Sequence, residues 1–197
     1  MNFNNRRKGV EVDMFMELNR YLLKLLLAGS LALIACNASA DSKEKIDSGS
    51  QQALQALRQH APEASDLLDN AAGVLVFPDV VKLGFGVGGQ YGEGSLLVKG
   101  MPNSYFVTAG ASFGLQAGAQ VKSEVILFMT KDALRKFQNS RGWRVGVDSS
   151  VALIKLGAGG SIDTSTMSEP VVGFIFSNEG LMYNLTMEGT KITRIAR

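Results

Sequence analysis

The chain has 197 residues, 46% of them hydrophobic, with 22 Gly against 4 Pro, which suits one globular domain with appendages. Its formal net charge of +2 comes from residues 1–40, where five basic residues face three acidic ones; the rest of the chain carries fifteen of each sign. A neutral domain lacks the strong basic excess that nucleic-acid binding needs, and a single Cys rules out an intramolecular disulfide.

Residues 1–40 read as a leader. Arg20 and Lys24 precede an apolar stretch of 11 residues, Leu25 to Ala35. Roughly 20 are needed to span a bilayer, so the stretch fits the apolar core of a signal peptide with its positive flank. Two cleavage readings stay open. Ala38-Ser39-Ala40 is a small-residue site that would leave Asp41 first and the product soluble in the periplasm. Leu33-Ile34-Ala35-Cys36 resembles the bacterial lipobox, in which the sole Cys becomes a lipidated first residue. Asn37 after it resembles the enterobacterial sorting signal for the outer membrane. The first 13 residues are polar, so translation is consistent with a start at Met14 or Met16.

Residues 41–52 are polar and read as a tether running into a helix, with the domain proper at 53–197. Ile46, Ala53, Leu54, Leu57 and Ala61 recur at near-helical spacing. Pro62 breaks that helix, and Ala64, Leu67, Leu68 and Ala71 line a second one that ends by Gly73. From there the period becomes two. Leu83, Phe85, Val87 and Tyr91 alternate with Lys82, Gly84, Gly86, Gly88 and Gln90. The run Tyr105 to Val121 keeps its odd positions apolar and its even positions polar or Gly, with Phe106 the exception, as a half-buried strand would. It is too long for one straight strand, so a bend or break is expected near Gly114 or Gly118. Thr130 should cap a short helix with Asp132 in its first turn and Leu134 and Phe137 inward. Trp143, Val145, Val147, Val151 and Leu153 repeat the strand alternation. Val171 to Phe176, Asn178-Glu179-Gly180 and Leu181 to Met187 read as a terminal hairpin. The expected fold is therefore α+β: two N-terminal helices and one inserted helix with a strongly curved antiparallel sheet, open or closed as a barrel.

Little in this pattern points to catalysis. Gly84-Phe85-Gly86-Val87-Gly88-Gly89 satisfies a dinucleotide fingerprint by its letters, but no helix follows it. His60 is the sole His and has no nucleophile motif beside it; with Cys36 in the leader, no metal or other cofactor is expected. Asp148 and Asp163 suit turns. The basic residues are more suggestive. Lys131, Arg135, Lys136, Arg141 and Arg144 fall within 14 positions against one acid, Asp132. Such a cluster could meet anionic head groups, with Lys82, Lys99 and Lys122 as further candidates; a solvated helix face is the plainer alternative.

Four stretches carry a family resemblance: GVLVFPDVVKLGFGVGGQYGEGSLLVKG from Gly73, SYFVTAGASFGLQAGAQ from Ser104, GWRVGVDSSVAL from Gly142 and VVGFIFSNEGLMYNLTMEGTKITRI from Val171. In this order they resemble the SYLF domain family, the Ysc84-type actin- and lipid-binding domain. The resemblance implies a curved β domain without catalytic activity. Eukaryotic members bind phosphoinositides and in some cases actin filaments, helped by an N-terminal amphipathic helix. This chain differs in having a leader and no Src-homology-3 or zinc-finger domain. The expected function is a cell-envelope lipoprotein whose domain binds membrane phospholipid through anionic or phosphoinositide-like head groups. The alternative is a structural or stress-related envelope protein that binds a protein and is held to the membrane by Cys36 alone.

Overall fold

The computed structural model describes residues 41–155, 168–176 and 189–196, without the side chains of 84–87, 112–119 and 155. The leader with Cys36, Asp163 and the second half of the expected terminal hairpin lie outside the described residues.

Helix α1 (Lys43–His60) starts where Ser42 accepts a hydrogen bond from the Lys45 N–H at 3.2 Å. Ile46, Ser50, Ala53 and Leu57 form its buried face. The expected tether at 41–52 is thus corrected. Its polar letters are the solvent face of an amphipathic helix already packed at Ile46. Pro62 lacks the N–H that a continuing helix needs, and α1 ends two residues before it. Helix α2 (Ala64–Asn70) follows and packs with α1 through Leu57, Leu67 and Leu68, with an exposed Arg58–Asp69 pair at 2.6 Å between them.

Strands β1 (Gly73–Val98) and β2 (Met101–Phe128) form one long hairpin. Lys99 and Gly100 turn it with φ of 54° and 75°, the two positive values that a type I′ turn requires. A straight strand of 26 residues would reach about 85 Å, and this one bends instead. Its register shifts between Phe77 and Val80, between Gly84 and Gly86 and between Leu96 and Leu97. The middle shift takes the partner from Gly118 to Gly114, which is where the sequence predicts the bend. The hairpin then closes on itself. A Cβ at Gly94 would collide with the Val76 carbonyl and one at Gly92 with Val80 and the Asp79 carbonyl, so the two lengths of β1 touch backbone to backbone.

The sheet is completed by β3 (Trp143–Arg144), β4 (Ala152–Lys155), β5 (Val171–Phe176) and β6 (Lys191–Ile195). Its order is β3-β6-β2-β5-β4, with β1 on β2. The α+β class and the curvature stand. Within the expected antiparallel sheet, one pair, β4 with β5, is parallel. The alternation from Trp143 to Leu153 is not one strand. The chain turns at Gly146, where φ is 79°, and leaves Val147 exposed.

Near its base the sheet buries both faces. Val74, Val76, Val125, Leu127, Val172 and Phe174 pack under α1 and α2. Leu75, Phe77, Ile126, Phe128, Val171 and Ile175 face inward. Helix α3 (Lys131–Asn139) caps that inner core through Leu134 and Phe137. The Phe137 ring lies 4.8 Å from Phe106, 4.7 Å from Phe128 and 5.5 Å from Trp143, the spacing of attractive aromatic pairs.

Candidate functional site

Helix α3 begins as its sequence predicts, with Thr130 accepting from the Ala133 N–H at 3.1 Å. Because Leu134 and Phe137 point into the core, Lys131, Arg135 and Lys136 are left on the solvent side, all exposed. Arg135 pairs with Asp132 on the same helix; both side chains are open to water, so the pair contributes little. Arg141 is exposed in the loop that follows. Arg144 belongs elsewhere. It lies on β3 opposite Lys191 of β6, and Lys191 lies in turn opposite Ala109 of β2. Sequence reasoning missed Lys191, which is remote in the chain and joined to Arg144 only by strand register.

The other candidate cations separate as well. Lys99 is exposed at the hairpin turn and Lys82 is half-buried. Lys122 is not a surface residue. Its side chain is 2% exposed and its ammonium sits 2.8 Å from Glu124, itself 1% exposed. Gln90 reaches across the curled sheet to the same carboxylate, Nε2 to Oε1 at 3.5 Å. Burial pushes the Glu124 carboxyl up, against the opposing pull of Lys122. The other carboxylate oxygen of Glu124 and the Thr108 hydroxyl are buried with no hydrogen-bond partner among the described residues.

The alternation along the hairpin is therefore reversed from the sequence expectation. The even positions of β2, read there as the polar or Gly face, point inward outside 112–119: Phe106, Ile126 and Phe128 join the core, and Thr108, Lys122 and Glu124 are buried beside them. Phe106, the exception in the pattern, was the signal. The odd, apolar positions of β2 outside 112–119 point outward. Where α1 covers them they are protected; Tyr105 donates to Asp47 of α1 at 2.9 Å. At the bend they are not: Val81, Leu83, Tyr91 and Val121 are 38–53% exposed.

A cleft of about 560 Å³ lies between the start of α1, the start of β2 and the end of β6, with Lys43, Ser104, Tyr105 and Arg194 among its lining residues. The glycine run 84–89 lies within β1 with no helix after it. Asp148 accepts from the Arg144 backbone N–H, a turn role. Among the described residues no cluster of His, Cys, Asp or Glu could hold a metal, and no helix is long and apolar enough to cross a membrane.

Residues 109–196 match the Ysc84 family, described as Las17-binding protein actin regulators. The Ysc84 match takes in most of β2, then α3 and β3 to β6, so it contains the α3 cations and the Arg144–Lys191 pair. A match to a family of binding domains supports a binding module. No curated protein matches the chain.

Proposed function

We propose that this chain is a cell-envelope lipoprotein whose Ysc84-type domain binds membrane phospholipid and performs no catalysis. The leader exports it, Cys36 becomes the lipidated residue, and Asn37 sends it to the outer membrane, facing the periplasm. The observation that carries the binding reading is the match of residues 109–196 to a binding-domain family that contains three exposed cations on one side of α3. Cations near an anionic membrane surface each contribute about 1 kcal/mol.

The test is co-sedimentation with vesicles. Binding should need phosphatidylglycerol, weaken as salt rises, and fall about tenfold or more when Arg135, Lys136 and Arg141 are changed to Gln. Equal retention on neutral and anionic vesicles would remove α3 as the contact.

A second reading has its own support. The family description names a protein, Las17, as what its members bind. On that reading the domain binds a protein and Cys36 alone holds the membrane. A Cys36→Ser chain that stays soluble and ignores every vesicle would favour it.

A further inference from the structure

We propose that the outward face of the hairpin bend is a membrane-inserting surface, its apolar side chains entering the acyl region while Lys191 and Arg144 beside them meet lipid phosphate. This rests on the reading that the domain contacts phospholipid: the α3 cations draw the domain to an anionic surface, and the sheet is the part that inserts.

The first observation is the reversed alternation. A sheet with one face to water turns its apolar side chains inward. At the bend Lys122, Glu124, Gln90 and Thr108 are the inward, buried residues, and Val81, Leu83, Tyr91 and Val121 are the outward, exposed ones. Polar-in and apolar-out alternation is what strands adopt where the outer medium is lipid.

Extent is the second. Val81 lies directly opposite Val121, Tyr91 opposite Ala109 and Gly89 opposite Ala111, so both strands contribute to the same face. Leu83 to Gly92 and Tyr105 to Val121 contain no charged residue. The exposed residues Leu83, Tyr91 and Val121 thus lie on these two charge-free lengths of the hairpin.

The third observation selects lipid over protein. On the outward face one cross-strand row runs Tyr91, Ala109, Lys191, Arg144. Trp143 and Ile192, next to the last two, point inward and are buried, while Lys191 and Arg144 are exposed. An apolar stripe edged by Tyr and two cations matches the layering of a membrane interface, where aromatic rings and basic groups sit at head-group depth. A second copy of this face would offer the cations little. Two of the carboxylates near them are engaged, since Glu93 accepts from the Tyr91 hydroxyl and the Asp41 N–H and Asp148 accepts from the Arg144 N–H; Asp79, exposed beside Val81, is the exception. Helix α3 packs on the inward core, so its cations lie off this face.

The test uses the full chain with Cys36→Ser and one new cysteine at a time, Leu83→Cys, Val121→Cys or Gln138→Cys, each carrying an environment-sensitive dye. Vesicles of phosphatidylethanolamine and phosphatidylglycerol are added with and without spin labels on the acyl chains. The dyes at 83 and 121 should shift to the blue and be quenched by the acyl labels; the dye at 138, on the exposed side of α3, should do neither. Leu83→Ser with Val121→Ser should lower partitioning about tenfold or more with Trp143 emission unchanged. A chain that binds vesicles while its dyes at 83 and 121 stay in water overturns the inference and leaves phospholipid binding standing. A chain that ignores the vesicles overturns both. A blue shift that needs no vesicles and grows with protein concentration identifies a second copy as the occupant and also overturns it.

Discussion

Lys122 and Glu124 are two residues apart on one strand, so the pleat points both inward, where they meet each other and Gln90. A buried pair gains from mutual attraction about what it loses in hydration, but a single buried charge only loses. Lys122→Met should therefore destabilise the fold by about 3–5 kcal/mol, and Lys122→Met with Glu124→Leu should recover most of that; denaturant midpoints decide it. The single variant should also respond to pH. Burial already raises the Glu124 carboxyl above its ordinary value, and removing Lys122 raises it further. A carboxyl whose folded-state value is raised binds its proton more tightly folded than unfolded. Its contribution is fully present below the unfolded value, about 4.3, and is lost as pH rises through the folded one. Lys122→Met should thus regain stability relative to the parent chain on acidification; a constant gap at all pH values would refute the assignment. Gly94 makes a different demand. Its missing Cβ is replaced by the Val76 carbonyl, backbone that cannot swing away, so Gly94→Ala should cost about 1–3 kcal/mol. At Gly89 an added Cβ would stand 3.6 Å from the Gly110 oxygen, and Gly89→Ala should leave the unfolding midpoint nearly unchanged.

Helix α3 shows which elements a sequence specifies locally. Its cap, its inward pair and its end at Asn139 all follow from neighbours in the chain. Thr130→Ala should cost about 1 kcal/mol and Thr130→Asp close to nothing. Trp143 is the sole Trp, is 4% exposed and lies edge-on to Phe137, so its emission reports the change. The break at Pro62 and the bend between Gly114 and Gly118 were legible for the same local reason. Which face of the hairpin points inward was not. Alternation places odd and even residues of β2 on opposite faces, but the side facing the core depends on Phe106 meeting Phe137 from a distant helix. The candidate site divides likewise. The α3 cations are neighbours in sequence and could be read there; Arg144 and Lys191 are brought together by the pairing of β3 with β6, a long-range event that no local pattern encodes.

At the scale of the folded unit, Asp41–Arg197, the two cores share one wall. Val125 and Leu127 serve the core under α1 and α2, while Ile126 and Phe128, between and beside them on the same strand, serve the core under α3. Losing either core frees β2 over the length that supports the other, so the two should melt together. Far-UV ellipticity, to which α1 contributes most among the described helices because it is the longest, should trace the same denaturant curve as Trp143 emission, which reports the inner core. Phe174→Ala tests the coupling from the helix side. Phe174 is fully buried in the core beneath α1 and α2, and its truncation should cost about 3–5 kcal/mol. If the shared wall couples the cores, that substitution lowers the Trp143 midpoint as far as the ellipticity midpoint, although Trp143 belongs to the other core. A helical signal lost first, with Trp143 emission still native, would mean that α1 and α2 form a layer able to separate from the curled sheet, and the common wall would then join the cores without making them one cooperative unit.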